Sequence, residues 1–347
     1  MRALASLLAL VLAIALVRDG VAQSHYPVAP SPIFSIATLE TTPTLGGYIS
    51  VRGTFRNDSF GAQVNRARLT ALAAPRSFVG VRLQGDFSGG QVGRLRADST
   101  TAGFTLTDAY VELVPPAARA RRFAPWRPAL VIGQFKQPFS LEYLTSFAYL
   151  ATANRSQIVD REAPKRDIGA MAQLGVGRWA RIDASITQGE GPNAGSNPDD
   201  EELAIGRLTA TPFSWLALGA ALGDEGADHL RGWDARLAWH DLVLEGEALH
   251  RSRPLTDTTA SDAGGGYALL AYKVLPWLQP VYKWEYYLLT THAPASTTDE
   301  RSTWNTVGVN LLSRDEALRV QIDWIIKSER RRPVRNDEVD VQVIANL

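Results

Sequence analysis

The chain has 347 residues, 45% of them hydrophobic, with 36 basic and 36 acidic side chains and no cysteine. Zero net charge argues against nucleic acid as the main partner, because a phosphate backbone selects an excess of Lys and Arg. The missing cysteines exclude disulfides, thiolate metal sites and cysteine nucleophiles, and the length allows one large domain or two smaller ones.

At the N-terminus, Arg2 precedes an apolar run from Ala3 to Val17, with small residues at Gly20 and Ala22. That order of charge, apolar core and small residues predicts a secretory signal over 1–22, and the run is too short to span a membrane comfortably. A retained N-terminal anchor is the other reading. Residues 23–44 follow as a linker or periplasmic segment, and 45–347 form the main body. Beyond residue 17 nothing approaches ~18 consecutive apolar residues, so helices would not place the mature protein in a membrane.

From there the chain alternates with period two. In "ARIDASITQ", Ala180, Ile182, Ala184 and Ile186 share one face, and Arg181, Asp183, Ser185 and Thr187 share the other. "ALRVQIDWII" opposes Leu318, Val320, Ile322 and Trp324 to Arg319, Gln321 and Asp323, and "VDVQVIANL" repeats the pattern. Such alternation marks strands with two unlike faces. Short connections near 74–76, 175–178, 212–214, 240–241, 275–277 and 313–315 alternate with longer polar ones near 89–102, 189–201, 223–229, 252–263, 291–300 and 328–336. About sixteen strands of about ten to fourteen residues result, an even number of the length a tilted membrane strand requires.

Large aromatics sit beside the short turns: Trp126, Trp179, Phe213, Trp215, Trp239 and Trp277. Trp233, Tyr286, Tyr287 and Trp304 lie toward the other ends. Two girdles of interfacial rings are the expectation, against ordinary core aromatics. The opposite face carries charges that would be costly to bury without water. The sum predicts an all-β transmembrane antiparallel barrel of about 16 strands, water-filled, in the outer membrane of a Gram-negative bacterium.

"GGYISVRGTF", "NRARLTA", "DAYVEL", "GQFKQPFSLEYLTS", "WNTVGVNLL" and "LRVQIDW" resemble, in order and spacing, the phosphate-selective porin O and P family over about residues 45–347. The most specific part is "GQFKQPF" with the preceding "DAY" strand. The resemblance implies a homotrimeric porin in which the long connection after the fifth strand, roughly 138–165, folds inward as a constriction loop. It also implies a wall of cations guiding anions: Arg66, Arg68, Arg82, Arg181, Arg236, Lys283 and Arg319. The loop would carry Arg155, Arg161 and Lys165, with Lys136 and Arg166 at its ends. Such rings of cations concentrate anions, and guanidinium forks match phosphate oxygens.

Acidic residues are expected on the same wall: Asp86, Asp108, Glu112, Asp183, Asp234, Glu245, Glu247, Glu285 and Asp323, with Glu142, Asp160 and Glu162 in the loop. A mixed wall suits a general diffusion porin. Anion-preferring passage, non-selective passage and a non-conducting barrel with a structural or adhesive role therefore stay open. The expected partners are small anions or hydrophilic solutes, outer-membrane lipid and lipopolysaccharide.

Other chemistry is weaker. His25, His229, His240, His250 and His292 lack metal-ligand spacing, and "NPDDEE" at 197–202 reads as a solvated loop before it reads as a Ca²⁺ site. "RARRFAPWR" at 119–127 is a basic patch beside a short turn. No nucleophile-elbow, Walker or zinc-hydrolase motif occurs, so neither enzyme, cofactor nor metal is expected.

Overall fold

The computed structural model describes residues 43–57, 59–76, 78–88, 104–115, 126–177, 179–330 and 336–347. The expected signal 1–22, the following segment as far as residue 42 and most of the basic patch at 119–127 lie outside the described residues.

Sixteen strands run in chain order. The first eight are β1 Thr44–Arg56, β2 Ser59–Arg76, β3 Val79–Asp86, β4 Thr105–Leu113, β5 Trp126–Lys136, β6 Arg166–Val176, β7 Ala180–Thr187 and β8 Leu203–Phe213. The second eight are β9 Leu216–Glu225, β10 Asp228–Trp239, β11 Leu242–Thr256, β12 Thr259–Tyr272, β13 Leu278–Ala293, β14 Ser296–Leu312, β15 Leu318–Glu329 and β16 Glu338–Asn346. Each pairs antiparallel with its neighbours, and β1 closes the barrel on β16 through pairs such as Val51↔Val343.

The alternation read from the sequence decides which face turns in. In β10, buried Leu230, Asp234 and Arg236 alternate with exposed Arg231, Trp233 and Ala235. Across β7 to β9 the exposed positions are Ile182, Ile186, Leu208, Leu218 and Leu222, while Asp183 and Arg207 are buried. This is a soluble protein turned inside out, and closure removes the unpaired edges that hydrocarbon could not tolerate. No helix among the described residues is long and apolar enough to cross a membrane.

Two expectations need correction. The polar stretches near 223–229, 252–263 and 291–300 are not long connections: Glu225 pairs with Asp228, Thr256 with Thr259 and Ala293 with Ser296 across tight turns. Strands consequently range from 8 to 18 residues. Beyond the apolar band a strand continues into a polar medium, so polarity there no longer marks its end. The second correction concerns the girdles. Trp179, Phe213, Trp215, Trp239 and Trp277 are exposed near the short turns as expected. At the other end Trp233 faces out and Tyr286 stacks on the exposed Trp284, whereas Tyr287 is buried and donates to Glu162 at 2.7 Å. Trp304 also faces in, opposite Glu285, with Lys327 over its ring at 4.5 Å. Adjacent strand residues point to opposite faces, so Tyr286 and Tyr287 cannot both meet lipid.

The main apolar cluster joins the connection between β5 and β6 to the inner faces of the later strands. Phe139, Tyr143, Ile158 and Val159 pack with Ile205, Leu230, Leu249, Tyr267 and Tyr287.

Candidate functional site

The β5–β6 connection begins where the ladder ends, a few residues past a constrained glycine inside it. Gly133 has φ +127°, and a Cβ there would meet the Ala109 carbonyl oxygen at 2.2 Å, so only glycine fits. Lys136 pairs with Arg166 in register, the Gln137 amide donates to the Lys165 carbonyl at 2.9 Å, and Pro138 then offers no donor. Ser140 caps the short helix α1, Leu141–Leu144, its Oγ accepting from the Tyr143 amide at 3.1 Å. A 3-10 turn at Phe147–Tyr149 and the helix α2, Gln157–Glu162, follow before β6 starts.

This segment is hydrogen-bonded to strands far apart around the barrel. Its amides donate to carboxylates: Glu142 to Glu247 Oε2 at 3.1 Å, Ala153 to Asp323 Oδ2 at 2.6 Å and Gln157 to Glu285 Oε2 at 2.7 Å. Its carbonyls accept from cations. Arg207 donates to Phe139 at 2.5 Å, Lys283 to Asn154 at 2.9 Å, Arg319 to Leu150 at 3.0 Å and Arg52 to Ala153. Asn154 Nδ2 donates to Asp340 at 2.6 Å, and Asn310 and Gln321 donate to the Ala151 and Leu150 carbonyls. Charge-assisted bonds of this kind are the stronger class, and here they satisfy backbone groups that short helices leave unpaired.

The seven expected wall cations divide accordingly. Arg236 pairs with Glu245 at 2.5 Å and donates to Thr145 Oγ1 at 3.0 Å, while Lys283 pairs with Glu285 at 3.1 Å. With Arg319, these two engage the segment. Arg181 is held by Asp183 at 2.8 Å, Arg68 by Asp86 at 2.8 Å and Arg82 by Asp108 at 3.0 Å. Arg66 differs: its guanidinium lies 4.0 Å from the centre of the Phe147 ring, and its buried Nε and Nη1 have no hydrogen-bond partner among the described residues.

Of the segment cations, Lys136 donates to the carbonyls of Tyr143, Leu144 and Thr145 at 2.8, 3.0 and 3.3 Å, closing the C-terminal end of α1. Arg166 pairs with Asp108 at 2.6 Å. Arg155 stacks on Tyr143 at 4.8 Å and Arg161 on Tyr287 at 4.6 Å, while Lys165 reaches the Asp160 carboxylate at 3.6 Å. Burial lowers the Arg155 guanidinium and the Lys165 ammonium below their usual values. Burial also pushes the Glu142 carboxyl up to about 7, against the opposing pull of Lys283.

Three further cations belong to the same interior. Arg52, Arg207 and Arg251 alternate with inward neighbours just as the expected ones do, in "YISVR", "LAIGR" and "EGEALHR". Parity alone would have found them. What parity could not supply is the partner of each, since Arg207 meets Asp234 at 2.7 Å across the intervening β9 and Arg251 meets Asp228 at 2.5 Å.

A closed antiparallel barrel of sixteen strands, apolar outside and charged within, has close likenesses among solved structures. An anion-selective porin from Comamonas acidovorans matches with a TM-score of 0.61 at 11% identity, over 89% of this chain and 100% of that one. Salmonella typhi OmpF in complex with daunomycin matches at 0.62 and 10% identity, over 88% and 97%. The outer membrane channel DcaP of Acinetobacter baumannii matches at 0.61 and 10%, over 88% and 97%. At such identities the likeness speaks for the fold. No curated protein sequence matches the chain.

Fold and family together define an integral outer-membrane channel of the porin class. Within that class, residues 50–222, from β1 into β9, match the family described as phosphate-selective porin O and P, and through them the chain belongs to it.

Proposed function

We propose that the protein is a passive diffusion channel for small hydrophilic solutes and ions with a weak preference for anions, and that segment 137–165 narrows its lumen. The bonds of that segment to strands on opposite sides of the barrel support the inward fold. A homotrimer is the proposed assembly. Support comes from the OmpT of Vibrio cholerae described as a trimer form, which matches at a TM-score of 0.62 and 12% identity over 88% of this chain and 99% of that one.

The observation that carries the anion preference is the one-sided distribution of charge. Arg66, Arg68, Lys136, Arg155 and Arg166 act on one another electrostatically, with Asp86, Asp108 and Glu142 among the nearby carboxylates. An excess of cations in a confined lumen raises the local anion concentration. The preference is weak because Arg68 already holds Asp86 while Arg82 and Arg166 share Asp108, which leaves Arg66 as the cation of this cluster with open donors. A tight phosphate trap would need several such forks converging.

Planar-bilayer recording tests this reading. In a KCl gradient the reversal potential should correspond to chloride passing modestly faster than potassium, and millimolar phosphate should leave most of the chloride current intact. Well-folded protein that stays silent would show a non-conducting barrel, and a cation-selective reversal potential would refute the anion reading.

A further inference from the structure

The outer face of β7 to β10 holds a groove of about 870 Å³ that conduction does not use. Its floor is Ala184, Ala204 and Gly206, small residues on β7 and β8, and exposed Ile186 and Leu222 stand at its sides. The lining becomes polar at Asp224, His229 and Arg231. Arg231 is exposed and makes no hydrogen bond or ion pair among the described residues. Directly opposite on β11 stands the exposed His250, close enough for the two side chains to share a ligand. The carboxylates on this face are already engaged: Asp224 accepts from His229 at 2.5 Å, and Asp262 lies 2.9 Å from His292. Arg231 thus keeps an open fork of donors.

Depth places that fork at a headgroup level. Trp239 lies in the ring of aromatics near the short turns, and Arg231 is eight residues away on the same strand. At ~3.3 Å per residue and a tilt of roughly 40°, the two are ~20 Å apart along the membrane normal, close to the ~25 Å height of the outward apolar band. Arg231 therefore sits at the interface toward the longer loops, which in such barrels is the outer leaflet. A cation facing lipid without a partner is unfavourable unless an anion meets it there.

The geometry points to a specific site for a phosphorylated outer-leaflet lipid, lipopolysaccharide, with an acyl chain in the groove and a phosphate on Arg231 and His250. The apolar trough takes the chain because its floor lacks side chains large enough to fill it, and the guanidinium matches phosphate oxygens in pairs. This site is separate from the channel and does not depend on its selectivity.

Delipidated, refolded full-length protein tests it by native mass spectrometry and thermal melting. The probes are purified lipopolysaccharide, its dephosphorylated form and phosphatidylglycerol. Lipopolysaccharide should bind the wild type and raise its melting midpoint. The double variant R231A/H250A should bind it at least about tenfold more weakly, as expected for loss of a charge-assisted contact. Gly206→Leu should weaken it without touching a charge, because a side chain at Gly206 meets open space and would fill the trough. Dephosphorylated lipid should bind the wild type no better than lipopolysaccharide binds R231A/H250A. Equal binding to wild type and both variants would overturn the site, and equal binding of phosphatidylglycerol would overturn the choice of lipid.

Discussion

The two sides of segment 137–165 contrast in how they meet the barrel. Toward β10–β16 its amides and carbonyls are matched to side chains: Glu247, Glu285 and Asp323 accept, while Lys283 and Arg319 donate. Toward β2 it presents rings, while Arg52 of β1 borders those rings and also donates to the Ala153 carbonyl. Phe147 carries Arg66 at 4.0 Å, Arg155 at 5.8 Å and Arg52 at 5.9 Å, and Tyr143 carries Arg155 and Lys136. One side is fastened by directional bonds and the other bears cations on aromatic faces, an attraction that leaves guanidinium edges available. Side chains of one type, Arg and Lys, therefore bond the segment on one side and lie over its aromatic rings on the other.

Breaking the fastened side should have the largest effect. Lys283 is almost fully buried between Glu285 and Glu142 and donates to the Asn154 carbonyl. Lys283→Met leaves two carboxylates in one pocket without their cation, a loss on the order of 3–5 kcal/mol for a buried pair. The expected outcome is a clear drop in melting midpoint together with larger, noisier single-channel steps as the segment loses its seat. Unchanged steps and an unchanged midpoint would mean that these bonds do not hold the segment.

The ring-bearing side is tested by a change that leaves the anchors alone. Arg66 has no ion-pair partner among the described residues, so Arg66→Ala removes a charge that conduction feels and folding does not need. The chloride over potassium permeability ratio should fall by about twofold with little change in melting, in keeping with a local field effect. Should Arg181→Ala, which frees Asp183, shift the ratio as far as Arg66→Ala, open donors would not be what sets the preference.

This difference between the sides also explains what the sequence made legible. Period-two alternation in stretches such as "ARIDASITQ" located the strands and their inward faces, because the face of a side chain depends on parity alone. Pro138 and the amphipathic stretch after it marked where β5 leaves the ladder. The division of labour among the inward cations was not legible. Arg66 and Lys283 look alike in sequence, and only the fold of residues 139–157 brings Phe147 under one and the Asn154 carbonyl against the other. Nor does composition show where a polar strand ends, which is why Asp228 and Thr259 read as loop and proved to be ladder.

The smallest expected effect concerns the Glu142 carboxyl of the segment. Glu142 Oε2 accepts from the Ser156 amide at 2.8 Å and from its hydroxyl at 2.9 Å, with Lys283 3.8 Å away. Burial raises its folded-state value to about 7 from an ordinary 4.5. For a raised acid the folded state holds the proton more firmly than the unfolded one, so its stabilising contribution is complete below pH 4.5 and is lost as pH rises through about 7. Melting measured from pH 4.5 to 8 should show a modest decline with rising pH attributable to this group. Glu142→Gln keeps an acceptor for Ser156 and cannot ionise, so that part of the slope should vanish while the midpoint above pH 7 holds or rises. If the slope survives the substitution intact, the proton resides on another carboxyl facing Glu142, with Glu245 and Glu285 the neighbours to substitute next.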